Sequence, residues 1–379
     1  MTRSRVVAIF TGNRAEYGLQ YPVIKAVDEH PDLEYRLLVS GAHLDPNFGS
    51  SVDEIINDGF RIESKINIKV GHNTEIATAQ AIGSAIDEIS RALDRLKPDF
   101  LVVYADRYEG FAAVVASSQM NIPTVHIEGG DITEGGALDD SIRHAMTKLS
   151  HLHMATNEDA AMRIIHMGEE PWRVSVVGLP TLDLIKRGDF YTEKAVLEEF
   201  NIVLNKPILI FTQHSVTTEF KKAKNQISAS LEGIQHFLNN GAQCIMTYPN
   251  NDVGGEDILG ELNAFYELNV KSNSNVQLQK TLGRRKYHGL LALAKNRSSR
   301  VVCVGNSSSG IKETCFFGCP TLNIGTRQNG RLRSENVLSC GYDKEEIITG
   351  INTCLFDDDF RELCRNAKTH YGTGNAGKK

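Results

Sequence analysis

The sequence predicts an α/β protein built from two Rossmann-like domains, each a doubly wound parallel sheet, that face each other across a cleft. Its 379 residues exceed what one ordinary hydrophobic core accommodates. Short apolar runs alternate with helical patterns in both halves of the chain, which is typical of parallel sheets. Polar residues follow directly after several of these runs, at the strand ends where open parallel sheets bind ligands.

The first predicted domain covers residues 1–182. Its apolar runs predict strands near 4–11, 34–40, 61–68, 100–104, 123–127, 151–155 and 174–177. Helical patterns fill the intervals, and the clearest covers 73–96 and ends before Lys97-Pro98. The segment from Gly178 to about residue 205 has weak apolar periodicity and several charges, so we place the domain boundary there.

The second predicted domain covers residues 183–379. Strands are expected near 207–213, 242–247, 275–279, 301–304 and 321–324, and helices at 219–239, 254–268, 283–296, 309–317 and 344–355. The last residues, TGNAGKK, are expected to form a loose tail. The last helix is expected to pack back on the first domain.

The composition excludes several classes of protein. The net charge of −6 argues against binding to nucleic acid or to anionic membranes, so any phosphate must be held by local groups. No apolar segment reaches the roughly 18–20 residues of a membrane span, and the apolar run near the start lacks a signal-peptide cleavage pattern. We therefore expect a cytoplasmic protein.

The seven cysteines all lie in the second half and include no Cys-x-x-Cys motif. Their odd number argues against a disulfide framework, and their spacing argues against a zinc site. Cys315 and Cys319 are four residues apart on a predicted helix, but buried apolar packing is the better interpretation. We expect neither a metal nor a cofactor.

The first predicted turn, residues 11–18, is not a G-x-G-x-x-G fingerprint, which disfavours NAD. Gly12 permits a tight turn there, and Arg14 stands at a helix start, where an anion is favoured. Arg14 is either a phosphate or sugar contact, or a surface residue that caps the turn.

Two carboxylates are expected at neighbouring strand ends in the first domain. Asp106-Arg107 follows one strand and Glu128 follows the next. Such a pair can divide the acid and base roles of a reaction, although an Asp in this position also commonly caps a helix. His126 shares a face of its strand with Glu128, and either orients a carboxylate or is a core histidine.

Asp139-Asp140 opens a helix that also carries Arg143. Acids in a first helical turn usually act as caps, so one Asp is expected to cap and the other to face the cleft. His151 and His153 alternate on a strand, and without a third ligand we interpret both as structural.

The second domain carries signals for an anionic ligand. His214 ends a strand and is a candidate general acid or hydrogen-bond donor to phosphate, and Asn250 ends the next strand. The run from Gly305 through Ser307, Ser308, Ser309 and Gly310 leads into a helix, where amides and hydroxyls are suited to a diphosphate. Glu313, one turn later, is placed for ribose hydroxyls, and the loop 325–331 is placed to clamp a nucleotide.

At these residues the chain resembles a known family. The matching motifs are GNRAEY (12–17), GAHLD (41–45), DRYE (106–109), HIEGG (126–130), DDSIRHAMTKL (139–149), QHSVTTE (213–219), YPNND (248–252), GNSSSGIKE (305–313) and GTRQNGR (325–331). They resemble the UDP-N-acetylglucosamine 2-epimerase family of the GT-B fold, and most of all its hydrolysing branch. Ala105 and Ser215 depart from the family pattern, which usually has Gly and often Pro at these positions.

The resemblance implies roles for individual residues. It implies catalytic carboxylates at Asp106, Glu128 and Asp139, assisted by Arg107, His126, Arg143 and His214. It implies UDP or substrate contacts from Arg14, His43, His214, Asn250, Ser307, Ser308, Ser309, Gly310, Glu313 and Arg327. The loops 43–48 and 131–138 are expected to meet the sugar.

The implied reaction is hydrolysis of UDP-N-acetylglucosamine to UDP and N-acetylmannosamine through a 2-acetamidoglucal, for sialic-acid-type biosynthesis. One alternative is the same reaction on a UDP- or GDP-linked diacetamido-trideoxyhexose. Others are a non-hydrolysing epimerase, a GT-B glycosyltransferase and a non-catalytic sugar-nucleotide sensor. The expected partners are the UDP-sugar and UDP, and the resemblance implies a homodimer or homotetramer.

Overall fold

The computed structural model describes residues 4–44, 52–68, 75–133, 137–250, 252–271 and 275–379. The side chains of Arg14, Ala15, Ala42, Glu75, Ala137 and Leu138 are outside this description. The contacts divide the chain into two units. Unit 1 takes its described residues from Met1–Ile132, Leu138–Leu184 and Tyr371–Lys379, and unit 2 is built mainly from Ile185–His370.

Unit 1 contains a parallel sheet with the order β3-β2-β1-β4-β5-β6-β7 in the described residues. Its strands are β1 (Arg5–Thr11), β2 (Leu33–Ser40), β3 (Ile62–Ile66), β4 (Phe100–Tyr104), β5 (Thr124–Ile127), β6 (Leu152–Ala155) and β7 (Val174–Val176). The strand order reverses between β1 and β4. In open α/β sheets, ligands bind outside the carboxyl ends of the strands at such a point.

Helices cover both faces of this sheet. They are α1 (Arg14–Asp28), α2 (Val52–Asn57), α3 (Glu75–Leu96), α4 (Tyr108–Gln119), α5 (Ala137–Leu149) and α6 (Glu158–His166). The division between the two units falls within the next helix, α7 (Thr181–Arg187). Because strand residues alternate between faces, Phe10 and Val103 pack with α3 and α4, whereas Ile9 and Val102 pack with α1 and α2. The sheet is therefore doubly wound, as the sequence predicts.

Unit 2 contains a second parallel sheet with the order β10-β9-β8-β11-β12-β13 in the described residues. Its strands are β8 (Ile208–Thr212), β9 (Gln243–Thr247), β10 (Val276–Gln279), β11 (Val301–Gly305), β12 (Thr321–Ile324) and β13 (Val337–Cys340). Its helices are α8 (Glu193–Glu199), α9 (Ala223–Asn239), α10 (Gly255–Lys271), α11 (Gly283–Ala292), α12 (Ser308–Lys312), α13 (Lys344–Phe356) and α14 (Asp358–Asn366). The strand order reverses between β8 and β11.

The fold class is confirmed, but several elements differ from the predictions. The predicted helix 309–317 is two pieces, because α12 ends at Lys312 and a 3-10 helix follows over Thr314–Phe317. The strand β13 and the helix α14 were not predicted, and the region of α7 and α8 was expected to have only weak periodicity. These elements are short or largely polar, so they lack a clear apolar period.

The expected loose tail is wrong. The backbone amides of Ala376 and Gly377 donate to the two carboxylate oxygens of Asp183, each at 2.8 Å, and Ala376 is buried. The tail therefore belongs to unit 1, whereas the last α-helix, α14, stays in unit 2.

No helix in the described part of the chain is long and apolar enough to cross a membrane. Of the seven cysteines, Cys340 is partly exposed and the other six are buried, as expected for apolar packing.

Candidate active site

Two strand ends in unit 1 have an unusual backbone. Ala105 follows β4 with φ 55°, and Glu128 follows β5 with φ 64°. Each still donates its amide to the neighbouring strand, Ala105 to Ile127 and Glu128 to Met154. The left-handed conformation costs a non-glycine residue about 1–2 kcal/mol. Such strain is characteristic of functional sites, and here it occurs at Glu128 and directly before Asp106, the two predicted carboxylates.

Arg143 lies at the centre of a buried charge cluster. It is 1% exposed, forms an ion pair with Asp106, and donates to Asp140 at 2.6 Å and to the Asp131 carbonyl at 2.7 Å. One guanidinium thus faces two carboxylates, and the pairing favours their ionised forms. Asp139, the carboxylate predicted from the resemblance, is exposed on the same helix, whereas Asp140 makes the ion pair.

Glu128 is buried and accepts a hydrogen bond from the phenol of Tyr104. Tyr104 ends β4, one residue before Ala105, and is itself buried. The two neighbouring strands therefore bring two carboxylates in different settings to one edge of the sheet. Asp106 has a cationic partner, and Glu128 has a neutral hydroxyl partner.

His126 is fully buried between two partners. Its Nε2 lies 2.7 Å from the Ala105 carbonyl, and its Nδ1 lies 3.1 Å from the Thr147 hydroxyl. Burial lowers the pKa of His126 to about 4, so the ring is neutral near pH 7. Because a carbonyl only accepts, Nε2 carries the proton of the neutral ring. His126 therefore occupies a core position, and its contact toward Asp106 runs through the backbone of Ala105.

The first turn of unit 1 contains a second group of acids. Glu16 accepts from the Gly12 amide at 2.8 Å, and Glu109 lies 3.6 Å from Arg107 through its Oε2. Both glutamates are buried, whereas Arg107 is partly exposed. His43 is buried against the Thr11 hydroxyl at 3.0 Å. The side chain of Arg14 lies outside the described residues, as do parts of the loops 43–48 and 131–138.

In unit 2, His214 and Asn306 join the ends of β8 and β11, where the strand order reverses. The His214 amide donates to the Asn306 side chain at 2.7 Å, and the Asn306 amide group donates to the His214 carbonyl at 2.9 Å. His214 Nδ1 accepts from the backbone amide of Asn250 at 3.0 Å. Burial, and then Arg327, lower the pKa of His214 well below its usual value. The neutral ring therefore carries its proton on Nε2, as a hydrogen-bond donor rather than a cationic acid.

The serine run of unit 2 is linked by hydroxyl contacts. Ser307 lies 3.0 Å from Ser309, and Ser309 lies 2.8 Å from the Tyr287 hydroxyl. Ser307 precedes α12 without capping it through its side chain, and Gly310 is buried beneath the run. Ser308 begins α12 and is partly exposed.

Glu313 and Arg327 are both held by neighbours in unit 2. Glu313 lies 2.7 Å from His288, and both side chains are buried. Arg327 donates to the Asn306 carbonyl at 3.3 Å and lies 3.8 Å from Asp252. Gln328 donates to the same carbonyl at 2.8 Å. Glu313, which has His288 as its partner, and Arg327, which lies near His214, provide a carboxylate and a cation at this edge of the sheet.

Several residues of these clusters are not among the predicted site residues. They are Glu16, Tyr104, Glu109, Asp131, Asp140, His288, Asn306 and Gln328. Glu16, Glu109, Asp140 and Asn306 lie inside motifs quoted above, so their position was a usable signal. Among the described residues, no group of three or more His, Cys, Asp or Glu side chains is arranged to hold a metal ion.

Comparisons with known proteins agree with this geometry. The family model for UDP-N-acetylglucosamine 2-epimerase matches residues 25–379. A GDP/UDP-N,N'-diacetylbacillosamine 2-epimerase (hydrolyzing) of Campylobacter jejuni is 34% identical over 334 residues, which is 88% of this chain and 84% of that protein. A UDP-N-acetylglucosamine 2-epimerase of Neisseria meningitidis is 30% identical over 348 residues, 92% of this chain and 86% of that protein.

A solved structure shares the fold. The UDP-GlcNAc 2-epimerase of Methanocaldococcus jannaschii in complex with UDP-GlcNAc and UDP has a TM-score of 0.76 and 21% identity, and the match covers 98% of this chain and 97% of that one. With the family model covering nearly the whole sequence, this chain belongs to the UDP-N-acetylglucosamine 2-epimerase family.

Proposed function

We propose that this protein is a hydrolysing 2-epimerase that converts a UDP-linked 2-acetamido sugar to UDP and the free C2 epimer of that sugar. The observation that carries the proposal is the pair of carboxylates at neighbouring strand ends, Asp106 beside Arg143 and Glu128 beside Tyr104. Inversion at C2 requires a proton to leave one face and return to the other, so the reaction needs two such groups.

The first step would remove the C2 proton while the bond between C1 and the diphosphate oxygen breaks. A double bond forms between C1 and C2, and its product is a 2-acetamidoglucal and UDP. Asp106 suits the base, because its ion pair with Arg143 favours the ionised carboxylate. Unit 2 carries donors suited to the leaving diphosphate, namely the Nε2 proton of His214, the Arg327 guanidinium and the serine hydroxyls.

The second step would return a proton to C2 from the opposite face while water adds to C1 and loses a proton. Glu128, held by the neutral hydroxyl of Tyr104, is our candidate for the acid. Arg107, Arg143 and His126 would position these groups, the last through the Ala105 backbone. Asp139 remains a candidate third carboxylate, and Arg14, His43, Asn250, Ser307, Ser308, Ser309, Gly310 and Glu313 remain candidate substrate contacts.

Two sugars are candidates for the substrate. UDP-N-acetylglucosamine is favoured by the family to which the chain belongs, and its product would be N-acetylmannosamine. UDP-N,N'-diacetylbacillosamine is favoured by the relative from Campylobacter, which has the higher identity of the two described above. The same acids and the same UDP contacts serve both sugars.

The test is proton and phosphorus NMR of the purified protein with each sugar nucleotide in deuterated water. We expect UDP and a free epimer that carries deuterium at C2, from one substrate or both. Intact sugar nucleotide that equilibrates between two epimers would contradict the hydrolytic reaction. No turnover of either substrate would contradict the whole proposal.

The roles of the two carboxylates are tested by their amides. Asp106→Asn should lower UDP release by about 10²–10⁴-fold, the usual contribution of a general base. Glu128→Gln should still release UDP but accumulate the 2-acetamidoglucal. If the glucal accumulates with Asp106→Asn instead, the two roles are reversed, and full activity of both variants would remove them from the mechanism. UDP affinity, measured by calorimetry, should stay unchanged in both variants.

A further inference from the structure

Glu16 and Glu109 form a buried pair of acids at the point where the unit 1 strand order reverses. Glu16 lies in the first turn of α1, after β1, and Glu109 lies in the first turn of α4, after β4. The two side chains are 5% and 2% exposed. In open α/β sheets this reversal point is where ligands bind, so its geometry bears on the substrate site.

The pair connects the ends of three adjacent strands. Glu16 holds the Gly12 amide after β1, and Glu109 lies against both Gly12 and Gly41, the latter directly after β2. A Cβ on Gly12 would lie 3.0 Å from Glu109 Cβ, and one on Gly41 would lie 3.2 Å from Glu109 Oε1. Both glycines therefore make room for this carboxylate. The segments held in this way carry Arg14, His43 and Arg107.

The hydrogen bonding of the pair is incomplete when both acids are ionised. Glu16 Oε1 and Glu109 Oε2 are buried, and neither has a hydrogen-bond partner among the residues that the structure describes. Arg107 Nε lies 3.6 Å from Glu109 Oε2, so Glu109 has a nearby cation. Two buried carboxylates beside each other cannot both be ionised at low cost, and one added proton removes the repulsion.

We propose that Glu16, buried near Glu109 at this turn, is protonated at neutral pH and so acts as a positioning residue for the first turn of the substrate site. The positioning role rests on the proposed function, whereas the protonation does not. The charged and titratable groups that face Glu16 in the described residues are Glu109, Arg107 and Tyr108, and His43 contacts the adjacent Thr11.

The electrostatics agree with this geometry. Burial, and then Glu109, raise the pKa of Glu16 from 4.5 to about 8. Between these values the unfolded chain has lost the proton and the folded chain retains it. The folded state therefore loses stability as pH rises from about 4.5 to about 8, and the loss is complete above pH 8. Above pH 8 the two negative charges also repel each other across the first turn.

The test compares wild type with Glu16→Gln, which stays neutral and keeps an acceptor for the Gly12 amide. The Tm of Glu16→Gln minus the Tm of wild type should increase from pH 5 to pH 8 and stay constant above pH 8. Over this pH range the unfolding equilibrium constant of wild type, relative to that of the variant, should change by up to about tenfold per pH unit. A difference in Tm that does not change with pH would overturn the protonation of Glu16.

Glu109→Gln is the second variant. It removes the like charge, so the pKa of Glu16 should fall and the loss of stability should be complete at a lower pH than in wild type. If the loss of stability were complete at the same pH in Glu109→Gln as in wild type, the two acids would not interact, and the proposal would be contradicted. This measurement needs no substrate, so it stands even if the protein lacks epimerase activity.

The positioning role is read from the pH profile of kcat/KM. In wild type kcat/KM should fall by about tenfold per pH unit above pH 8, as expected for loss of one essential proton. In Glu16→Gln this fall should be absent. If kcat/KM fell above pH 8 in the same way in both proteins, another group would cause the fall, and the positioning role would be overturned. Wild type inactive at every pH would count against the proposed function and leave the Tm result to decide the pair.

Discussion

Arg143 shows how one residue can determine both the stability and the chemistry of a site. It is almost fully buried, and its partners are Asp106, Asp140 and the Asp131 carbonyl. Removing one member of a buried ion pair leaves an uncompensated charge, which is more costly than the net value of the pair. The effect of an Arg143 substitution on stability and its effect on catalysis can therefore be measured separately.

Arg143→Met should destabilise the protein by about 3–5 kcal/mol, because two carboxylates lose their cation. It should also lower kcat more than UDP affinity. The measurements are urea unfolding and steady-state kinetics. Arg91→Met is the control, because Arg91 pairs with Asp87 on an exposed face of α3, and its unfolding curve should match wild type. Similar losses in the two variants would contradict the central position of Arg143.

Ala105 is strained, and the strain can be tested directly. Its φ of 55° suits glycine, so Ala105→Gly should stabilise the protein by about 0.5–1 kcal/mol after the added flexibility of the unfolded chain is subtracted. Ala113→Gly is the control, because Ala113 lies inside α4 and should lose about 1 kcal/mol or more. Thermal unfolding compares the two. Destabilisation by both substitutions would show that the backbone at 105 is not strained.

Individual residues also show which features of the site could not be predicted from the sequence. The spacing of Asp106, Glu128 and His214 after apolar runs was enough to predict their strand ends, because strand boundaries follow from local pattern. The choice between Asp139 and Asp140 was not predictable, because both lie about one helical turn before Arg143 on α5, and the other partners of Arg143, Asp106 and the Asp131 carbonyl, come from elsewhere in the chain. His126 was left open for the same reason, since its partners Ala105 and Thr147 come from elsewhere in the chain.

At the scale of elements, all predicted strands exist, whereas the short helices were mostly missed. Strands such as β8 and β11 are continuous buried apolar runs, which a sequence shows directly. The helix α14 has the polar sequence DDFRELCRN and buries Arg361 and Cys364, so its inward face is not marked by a run of large apolar residues.

The contact between β8 and β11 depends on Gly305. Its φ is 125°, and a Cβ there would lie 1.9 Å from the Thr212 carbonyl oxygen, which cannot move without disturbing the strand. Gly305→Ala should therefore separate the strand ends that carry His214 and Asn306. We expect a clear loss of stability in thermal unfolding and at least a tenfold loss of UDP affinity by calorimetry, equal to about 1.4 kcal/mol.

Gly83→Ala is the matched control for this substitution. Gly83 lies in α3, and a Cβ there would meet nothing within 4 Å. Alanine favours a helix over glycine by about 1 kcal/mol, so this variant should be as stable as wild type or more stable. Unchanged UDP affinity in Gly305→Ala would show that the His214–Asn306 contact does not serve the nucleotide.

At the scale of the whole molecule, both units share a strand order of the Rossmann type, and in each the unusual polar residues gather where that order reverses. The alternation of elements was enough to predict this architecture. The path of the chain end was not, because TGNAGKK contains no apolar pattern and is held by backbone amides instead. Asp183 and Leu179 are among the residues that hold the tail in unit 1.

Asp183 offers a test of the division into two units. Asp183→Ala removes both acceptors for the Ala376 and Gly377 amides, and Asp183→Asn keeps one carbonyl oxygen. Amide hydrogen exchange in the tail should be fastest in Asp183→Ala, slower in Asp183→Asn and slowest in wild type. The faster exchange should extend to the neighbours of the tail, which are α1 and Leu179. The Leu179 amide donates to the Tyr371 carbonyl at 2.7 Å. Because the predicted UDP contacts His214, Ser307 and Arg327 belong to unit 2, UDP affinity should stay within about twofold of wild type, less than 0.5 kcal/mol. Increased exchange around β8 and β11 would contradict the assignment of the tail to unit 1 alone.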